Sequence, residues 1–438
     1  MPSAVAGPRS LPLIGHSLEL RRDPLTFLQR VQMDYGDICK IQVGWIPIVT
    51  VFHPDHVRQI LVENHKSFIK SRGVRLTNLI LGNGLLTSEG STHRRQRKLI
   101  QPAFQKRRIL SYAADIREST EQLTARWNNG GTLDLHSEMM RLALNVATRS
   151  LFKADVEKDA PEIGKALNQA MQDFNRVISN PLGRLLVQLP TPVGLRFRAG
   201  KKKLDRILYG MINERKANPG DQGDFLSMLF AAADEEGGMT EKQIRDAAMT
   251  IFLAGHETTA NALTWSLFLV SSHPDFQARL QKELDQEPET PNPENPNPLV
   301  RALFAEAMRL YPPVWAIGRE ATEPVQVGDH SFPAGTTFLL SPYVTHRDER
   351  FWPDADQFKP ERWLNEQEVL APPKFRYFPF GGGPRICIGE PFAWMEGTMA
   401  LTQILTQWQF DLITKEPETS PLVTLRPKGE VLARSEKR

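Results

Sequence analysis

The feature that most constrains this 438-residue chain is a glycine-rich run, FPFGGGPRICIGEPFA, from Phe378 to Ala393. Three consecutive glycines, residues 381 to 383, permit a tight turn and a close backbone approach to a flat ligand, which Cβ atoms would obstruct. Cys387 follows that turn and precedes a stretch whose apolar residues recur at helical spacing. The thiol is therefore expected near a helix N-terminus, where free N–H groups favour the thiolate form.

Several roles are open to a cysteine in this setting. A lone cysteine is often a small buried hydrophobe. Zinc binding is disfavoured because no second Cys or His lies at ligand spacing, and a nucleophilic role is disfavoured because no partnering base is evident nearby. An axial thiolate ligand to haem iron suits such a loop, since the glycines give room and backbone N–H groups can donate to the sulfur.

Six residues of the run form the pattern F-G-x-G-x-R-x-C-x-G, which resembles the haem-thiolate signature of the cytochrome P-450 superfamily. They are Phe380, Gly381, Gly383, Arg385, Cys387 and Gly389. The resemblance implies a soluble, bacterial-type monooxygenase that is mainly α with a small β region, formed as one domain over residues 1–438. It further implies that haem b lies between a long central helix and this loop. Phe380, Arg385 and Gly389 would contact the haem, and Cys387 would bind its iron.

The long helix is predicted to begin near Thr240 and to end before Pro274. Thr240 and Gln243 have the spacing of a capping box, and proline interrupts a helix. The centre of this stretch is apolar enough to suggest a membrane span. Its interior His256 and Glu257 would be costly in lipid, so a buried helix is the favoured interpretation.

The sequence AGHETT inside this helix matches the A-G-x-[DE]-T-T element of the same family. The resemblance implies that Ala254 and Gly255 leave room for the macrocycle and O₂, that Thr258 hydrogen-bonds O₂, and that Glu257 relays protons to it. Another role stays open for Thr258, because threonines within helices often donate to the carbonyl one turn earlier. His256 is interpreted as a packing or surface residue rather than an iron ligand.

Basic residues elsewhere fit the positions that bind haem propionates in the family. His93 and Arg97 are four residues apart, so they share a helix face. From spacing alone, a solvated basic face explains this pair equally well. The resemblance implies that His93, Arg97, Arg319 and Arg385 pair with the propionates.

Two segments are expected to line a substrate pocket. By resemblance, Val314, Trp315, Ala316 and Ile317 run past the haem on its substrate side. The leucine-rich segment 180–194 resembles a lid over the substrate channel, although a loop that only covers the core fits its composition as well. Trp315 and the leucine-rich segment fit a large apolar substrate. The stretches EAMRLYPPVW and SPYVTHRD resemble bacterial hydroxylases of fatty acids, terpenes or carotenoids, so the resemblance implies a substrate of one of these classes.

Other residues are assigned to the fold rather than to chemistry. Glu306 and Arg309 match the E-x-x-R helix of the family, and Arg362 in FKPERW would complete a buried trio with them. The C-terminal stretches WQFDLI and LVTLRPKGEVL are predicted to form a hairpin, with its turn at residues 427–430.

Composition and the first residues limit the partners and the compartment. With 54 basic and 51 acidic residues the net charge is +3, which gives no indication of nucleic acid. Residues 1–20 are expected to be an extended segment without a transmembrane anchor, because no apolar run there could cross a bilayer. With no secretory pattern and two cysteines, a cytoplasmic monomer is expected.

Electrons must come from separate proteins, since neither a dinucleotide-type glycine fingerprint nor a cysteine cluster is present. NAD(P)H, acting through a ferredoxin and its reductase or a flavodoxin-type donor, is the expected source. The densest positive cluster is a candidate docking surface, with solubilising charge as the alternative; it comprises Arg94, Arg95, Lys98, Lys106, Arg107 and Arg108. A peroxide-driven peroxygenase and a non-catalytic haem sensor or electron carrier are the alternative functions.

Overall fold

The computed structural model describes residues 5–154, 163–164, 169, 172–174, 177, 187–218, 220, 222–234, 238–287, 291–365 and 373–438. These residues group into two compact units, each drawn from separate parts of the chain. The first comprises Met1–Leu76 and Ala305–Cys387, and the second comprises Thr77–Phe304 and Ile388–Arg438.

Helices dominate the second unit. The first unit contains the helices Ser17–Arg22, Pro24–Tyr35, Pro54–Arg58, Arg72–Leu76 and Pro342–Thr345. The second contains Asn78–Leu81, Gly90–Ile100, Lys106–Ser111, Ala113–Thr124, Leu135–Phe152, Pro192–Ala217, Phe225–Asp234, Glu241–Ser271, Pro274–Leu284 and Glu390–Gln407. The helix Pro298–Leu310 begins in the second unit and ends in the first.

The N-terminal segment is less extended than its sequence suggests. The helix Ser17–Arg22 begins inside residues 1–20, which were expected to be extended throughout. Its residues include Leu, Glu and Arg, which are good helix formers. A short helix can therefore form here although the segment has no long periodic pattern of apolar residues. None of the helices in the described parts of the chain has the length and apolar character needed to cross a bilayer.

The strands form small sheets within the units. In chain order they are β1 (Ile38–Val43), β2 (Ile46–Val51), β3 (Phe68–Lys70), β4 (Thr132–Asp134), β5 (Ile317–Ala321), β6 (Val325–Val327), β7 (His330–Phe332), β8 (Thr337–Leu340), β9 (Trp408–Leu412), β10 (Thr419–Pro421), β11 (Leu425–Pro427) and β12 (Leu432–Lys437). The first unit holds a five-stranded sheet in the order β1-β2-β8-β5-β3 and the pair β6-β7. The second holds β4-β12-β9 and the pair β10-β11.

The C-terminal pairing differs from the predicted hairpin. Residues 427–430 connect β11 to β12, and these two strands belong to different sheets. β12 instead pairs antiparallel with β9, with Ala433 opposite Leu412. The hairpin in this region is β10-β11, and its turn lies at residues 422–424. The prediction was wrong because glycine and proline mark a bend but do not show which strand pairs across it.

The long helix Glu241–Ser271 runs through the interior of the second unit. Its N-terminus has the predicted capping box: Thr240 Oγ1 accepts from the backbone N–H of Gln243, and Gln243 Oε1 accepts from the backbone N–H of Thr240. Most of its 31 residues are buried, and it packs against the helix Leu135–Phe152. A helix that is apolar on most faces is stable in water only when it is surrounded by protein in this way.

A buried ion pair anchors the first unit. Glu306 and Arg309 are both fully buried, and two hydrogen bonds of 2.8 Å join the guanidinium Nε and Nη2 to the two carboxylate oxygens. Arg362 Nε and Trp363 Nε1 also donate to Glu306, at 3.2 and 2.8 Å. The structure thus brings the three residues of the proposed trio together and adds an indole donor.

We expect the substitution Glu306→Gln to lower the free energy of unfolding by about 3–5 kcal/mol, because it leaves the Arg309 charge buried without its counter-ion. Urea unfolding of the holoprotein followed by tryptophan fluorescence measures this. Glu63→Gln is the matched control: Glu63 pairs with Arg58 at the surface of the same unit, and its loss should change stability by at most about 1 kcal/mol. Similar losses in the two variants would contradict the assignment.

Candidate active site

The turn before Cys387 depends on its glycines for packing within the protein. Gly381 and Gly383 have φ angles of +74° and +65°, in the left-handed region that favours glycine. A Cβ atom on Gly383 would lie 2.0 Å from the carbonyl oxygen of Leu61, and one on Gly382 would lie 2.4 Å from the ring of Phe375. Contacts within the protein therefore explain why glycine is needed at positions 382 and 383. The sequence analysis had attributed this need to the close approach of a ligand.

Backbone hydrogen bonds hold this loop in one conformation. The N–H of Cys387 donates to the carbonyl of Phe380 at 3.0 Å, and the N–H of Gly381 donates to the carbonyl of Phe378 at 2.9 Å. The N–H of Phe378 in turn donates to Nε2 of His346 at 2.9 Å. The side chain of Cys387 is exposed at the end of this series.

His346 is a supporting residue that sequence analysis missed. Burial lowers the pKa of its imidazole well below the ordinary 6.5, and the charges of Arg309 and Arg347 act in the same direction. The ring is therefore neutral at pH 7, which leaves Nε2 free to accept from Phe378. A histidine 32 positions before its partner gives no local sequence signal for this role.

The two cysteines differ in their surroundings. Cys39 lies in β1, is fully buried, and its thiol pKa is raised to about 12 by burial. Such a thiol is inert packing. Cys387, in contrast, is exposed, and the helix Glu390–Gln407 begins three residues after it, with Gly389 as N-cap.

The other predicted cofactor residues of the first unit lie near the sheet and the loop. Arg319 is buried in β5, and its Nη1 donates to the carbonyl of Gly318 at 3.0 Å. Arg385 ends the short 3₁₀ turn Gly383–Arg385 and is half-buried. Phe380 is also half-buried and supplies the carbonyl that fixes Cys387.

The predicted pocket residues Val314, Trp315, Ala316 and Ile317 are all half-buried. Trp315 and Ile317 pack against the two apolar clusters of the first unit, so part of each side chain serves the core. A Cβ atom on Gly381 would lie 3.7 Å from Ile317. The structure thus brings Ile317 beside the cysteine loop.

Much of the predicted lid lies outside the described residues. Of residues 180–194, only 187–194 belong to the described part of the chain, and the leucines 182, 185 and 186 lie outside it. Val187 is buried and Leu189 is exposed.

In the second unit, His93 and Arg97 share one face of the helix Gly90–Ile100, as their spacing predicts. His93 is buried and Arg97 is half-buried, whereas Arg94, Arg95 and Lys98 are exposed. The helix therefore has an inward basic face and a separate solvated one. The alternative from the sequence, a basic face that is fully exposed to solvent, does not fit His93 and Arg97.

Near its centre the long helix is more exposed than along most of its length. Ala254 is exposed, and Gly255 and Thr258 are half-buried, while the neighbouring Phe252 and Thr259 are buried. At Gly255 the nearest atom that a Cβ would meet is 3.9 Å away. The hydroxyl of Thr258 donates to the carbonyl of Ala254 at 2.8 Å, which is the alternative that the sequence left open.

Glu257 and His256 point into buried surroundings. Oε1 of Glu257 accepts from the hydroxyl of Thr424 at 2.6 Å, and Nδ2 of Asn261 donates to that hydroxyl at 3.3 Å. Burial lowers the pKa of His256, whose ring stacks on Phe252. His256 is buried, which agrees with packing and not with surface exposure, the two alternatives that the sequence left open. The contact between Thr424 and Glu257 was not predicted.

A protein-family model described as Cytochrome P450 matches residues 5–433. The chain belongs to the cytochrome P450 family. It is 38% identical over 433 residues to the cyclooctatin synthase of Streptomyces melanosporofaciens, covering 97% of this chain and 92% of that protein. It is 34% identical over 424 residues to the pentalenene oxygenase of Streptomyces avermitilis, covering 94% and 92%.

Solved structures agree with this assignment. The crystal structure of the P450 CYP175A1 from Thermus thermophilus matches with a TM-score of 0.78 and 29% identity, covering 96% of each chain. The predicted fold class, a mainly helical P450 fold with a small β region, is confirmed.

Members of this P450 family use haem, and both units carry features that fit it. In the first unit, an exposed thiol sits on a loop whose backbone is fixed by hydrogen bonds. In the second, small residues interrupt the buried surface of the long helix, which would let a flat group approach the backbone. On one face of the helix Gly90–Ile100, the buried His93 and the half-buried Arg97 add side chains with N–H groups that suit carboxylates.

We expect Gly383→Ala to lower the amount of haem bound per chain, because it adds a clash with the Leu61 carbonyl to the left-handed strain of about 1–2 kcal/mol. Gly335→Ala is the control in the same unit, since Gly335 has φ +83° and nothing within 4 Å of a Cβ. The ratio of haem to protein absorbance measures the effect. Equal haem content in both variants would show that the packing of this turn is not needed for the site.

Proposed function

We propose that this cytochrome P450 inserts one oxygen atom from O₂ into a C–H or C=C bond of a terpene-like substrate, with the second atom leaving as water. The observation that carries the proposal is the exposed, hydrogen-bonded Cys387 loop in a chain that matches the family over residues 5–433. Relatives at 33–38% identity, among them a pentalenene oxygenase, modify terpenes, and this supports a terpene-like substrate over fatty acids and carotenoids.

The chain's own residues would divide the work as follows. Cys387 would hold the iron through its thiolate and would supply electron density to it. The propionates would be neutralised, and the cofactor oriented, by His93, Arg97, Arg319 and Arg385. Haem b, when bound, supplies the chemistry of O–O cleavage and oxygen transfer.

Two neighbouring residues of the long helix, Glu257 and Thr258, would supply the protons. The Thr258 hydroxyl has a single proton, which it now donates to the Ala254 carbonyl. Because that oxygen can also accept, Thr258 would take a proton from a hydrogen-bonded water molecule as it passes its own proton on. Glu257 would relay the next proton: its carboxylate takes up a proton and then passes it on.

The substrate site would use the half-buried side chains of residues 314–317. Val314 and Ala316 offer apolar surface, while Trp315 and Ile317 are held by the core behind them. Such a site binds by burial of apolar area, which favours a hydrocarbon skeleton with few polar groups.

Electrons would come from NAD(P)H through a ferredoxin and its reductase, or through a flavodoxin-type donor. Support comes from the exposed cations of the helix Gly90–Ile100, among them Arg94 and Lys98. Arg95 donates to the carbonyl of Gly238, and Lys106 pairs with Glu294. The proposed docking surface therefore contains fewer cations than the cluster identified in the sequence.

The test is turnover of a panel of terpene hydrocarbons and fatty acids under ¹⁸O₂, with ferredoxin, reductase and NADPH or with hydrogen peroxide alone. We expect a terpene product carrying one ¹⁸O atom in the first arm. Thr258→Ala should lower product per NADPH by about tenfold or more, because proton delivery is lost.

The other outcomes separate the alternative functions. Equal turnover with peroxide alone would favour the peroxygenase. A haem-loaded protein that forms no product from any substrate in either arm would favour a sensor or electron carrier, and would contradict the proposal.

A further inference from the structure

We propose that Thr424, in the turn between β10 and β11, is a positioning residue that holds the Glu257 carboxylate in place for proton delivery. This inference rests on the proposed function, since it concerns the same proton supply. It assigns a role to a residue outside the motifs on which the family resemblance rests.

The contact itself is short and enclosed. Thr424 Oγ1 donates to Glu257 Oε1 at 2.6 Å, and each of the two residues is 6% exposed. Asn261, one helical turn after Glu257 and fully buried, donates from Nδ2 to Thr424 Oγ1 at 3.3 Å. The threonine hydroxyl is thus oriented by one partner and directed at the other. Hydrogen bonds to a charged group are stronger than those between neutral groups.

The turn that carries Thr424 is itself fixed. β10 and β11 pair antiparallel, with Pro421 opposite Leu425. The N–H of Leu422 donates to the carbonyl of Thr424 at 3.1 Å, and Leu425 is fully buried. Thr424 is also β-branched, so its χ1 angle has few choices. Thr424, which has little conformational freedom, therefore restrains the flexible side chain of Glu257.

Glu257 needs such a restraint because of its place on the helix. Successive residues of an α-helix diverge by about 100°, so Glu257 and Thr258 leave the helix in different directions. The longer glutamate side chain must be directed if its carboxyl group is to serve the same chemistry as the Thr258 hydroxyl. Glutamate also has many rotamers, and an unrestrained side chain spends little time in any one of them.

The substitution Thr424→Val tests this, since valine keeps the shape and removes the hydroxyl. Thr424→Ser restores the donor and serves as the rescue. Thr120→Val is the matched control: Thr120 is fully buried in the helix Ala113–Thr124, and its hydroxyl donates to the carbonyl of Ile116.

The first readout needs neither substrate nor redox partner. The carboxylate stretching band of Glu257, assigned by subtraction of the Glu257→Gln spectrum, is measured by infrared spectroscopy of the holoprotein. We expect the band to move in Thr424→Val and to keep its wild-type position in Thr424→Ser and Thr120→Val. A band that stays in place in Thr424→Val would overturn the proposal.

The second readout is the partition of electrons between product and hydrogen peroxide. Thr424→Val should lower product per NADPH by about tenfold, the effect of one hydrogen bond to a charged group, with KM unchanged. The solvent deuterium isotope effect on kcat should rise, and Thr424→Ser should recover most of the product. A merely structural role would instead change haem content or KM.

The outcomes distinguish this proposal from the function on which it rests. Product formation by the wild type with an unaltered partition in Thr424→Val overturns the role of Thr424 alone. A Thr424→Ser variant that behaves like Thr424→Val overturns it as well. No product from the wild type would end the proposed function and this proposal together.

Discussion

The geometry of the Cys387 loop depends on a buried ion pair that does not touch it. Arg309, paired with Glu306, donates from Nη1 to the backbone carbonyl of His346 at 2.8 Å. The ring of His346 accepts from the N–H of Phe378, the residue that enters the loop. Hydrogen bonds within the first unit therefore connect a fully buried ion pair to the backbone of the loop that carries Cys387. Its cost is the desolvation of two charges, which only a fully hydrogen-bonded arrangement can offset.

The second unit meets a different constraint, which is to keep polar groups inside an apolar helix. Thr258 satisfies its hydroxyl within the helix through Ala254, whereas Glu257 depends on Thr424 from a distant turn. Buried polar groups are costly unless they are hydrogen-bonded, so each of these side chains has a defined partner. Under the proposed function, the same hydrogen-bond partners would determine which protons can move. The hydrogen bonds of Thr258 and Glu257 would then serve both the stability of the helix and the proposed chemistry.

Sequence reasoning succeeded where a motif or local chemistry carries the information. The capping box of Thr240 with Gln243 depends only on residues three apart, and it was predicted from that spacing. The fold class followed from a signature around Cys387 and was confirmed by the family match. Roles for the individual site residues remain proposals, although Glu306, Arg309 and Arg362 do meet.

Other features depend on contacts between distant segments, which no local pattern reveals. His346 and Thr424 act on partners 32 and 167 positions away. The pairing of β12 with β9 rather than with β11 is of the same kind. The helix Ser17–Arg22 was missed for another reason, because it is too short to show a periodic pattern.

The central claim is that Cys387 binds the haem iron, and X-ray absorption at the iron edge of the purified holoprotein tests it most directly. We expect one sulfur scatterer in the first shell of the iron. It should be absent in the variant Cys387→Ser and retained in the variant Cys39→Ser, because Cys39 is buried in β1. A first shell of nitrogen and oxygen alone in the wild type would contradict it. So would a sulfur scatterer that persists in Cys387→Ser.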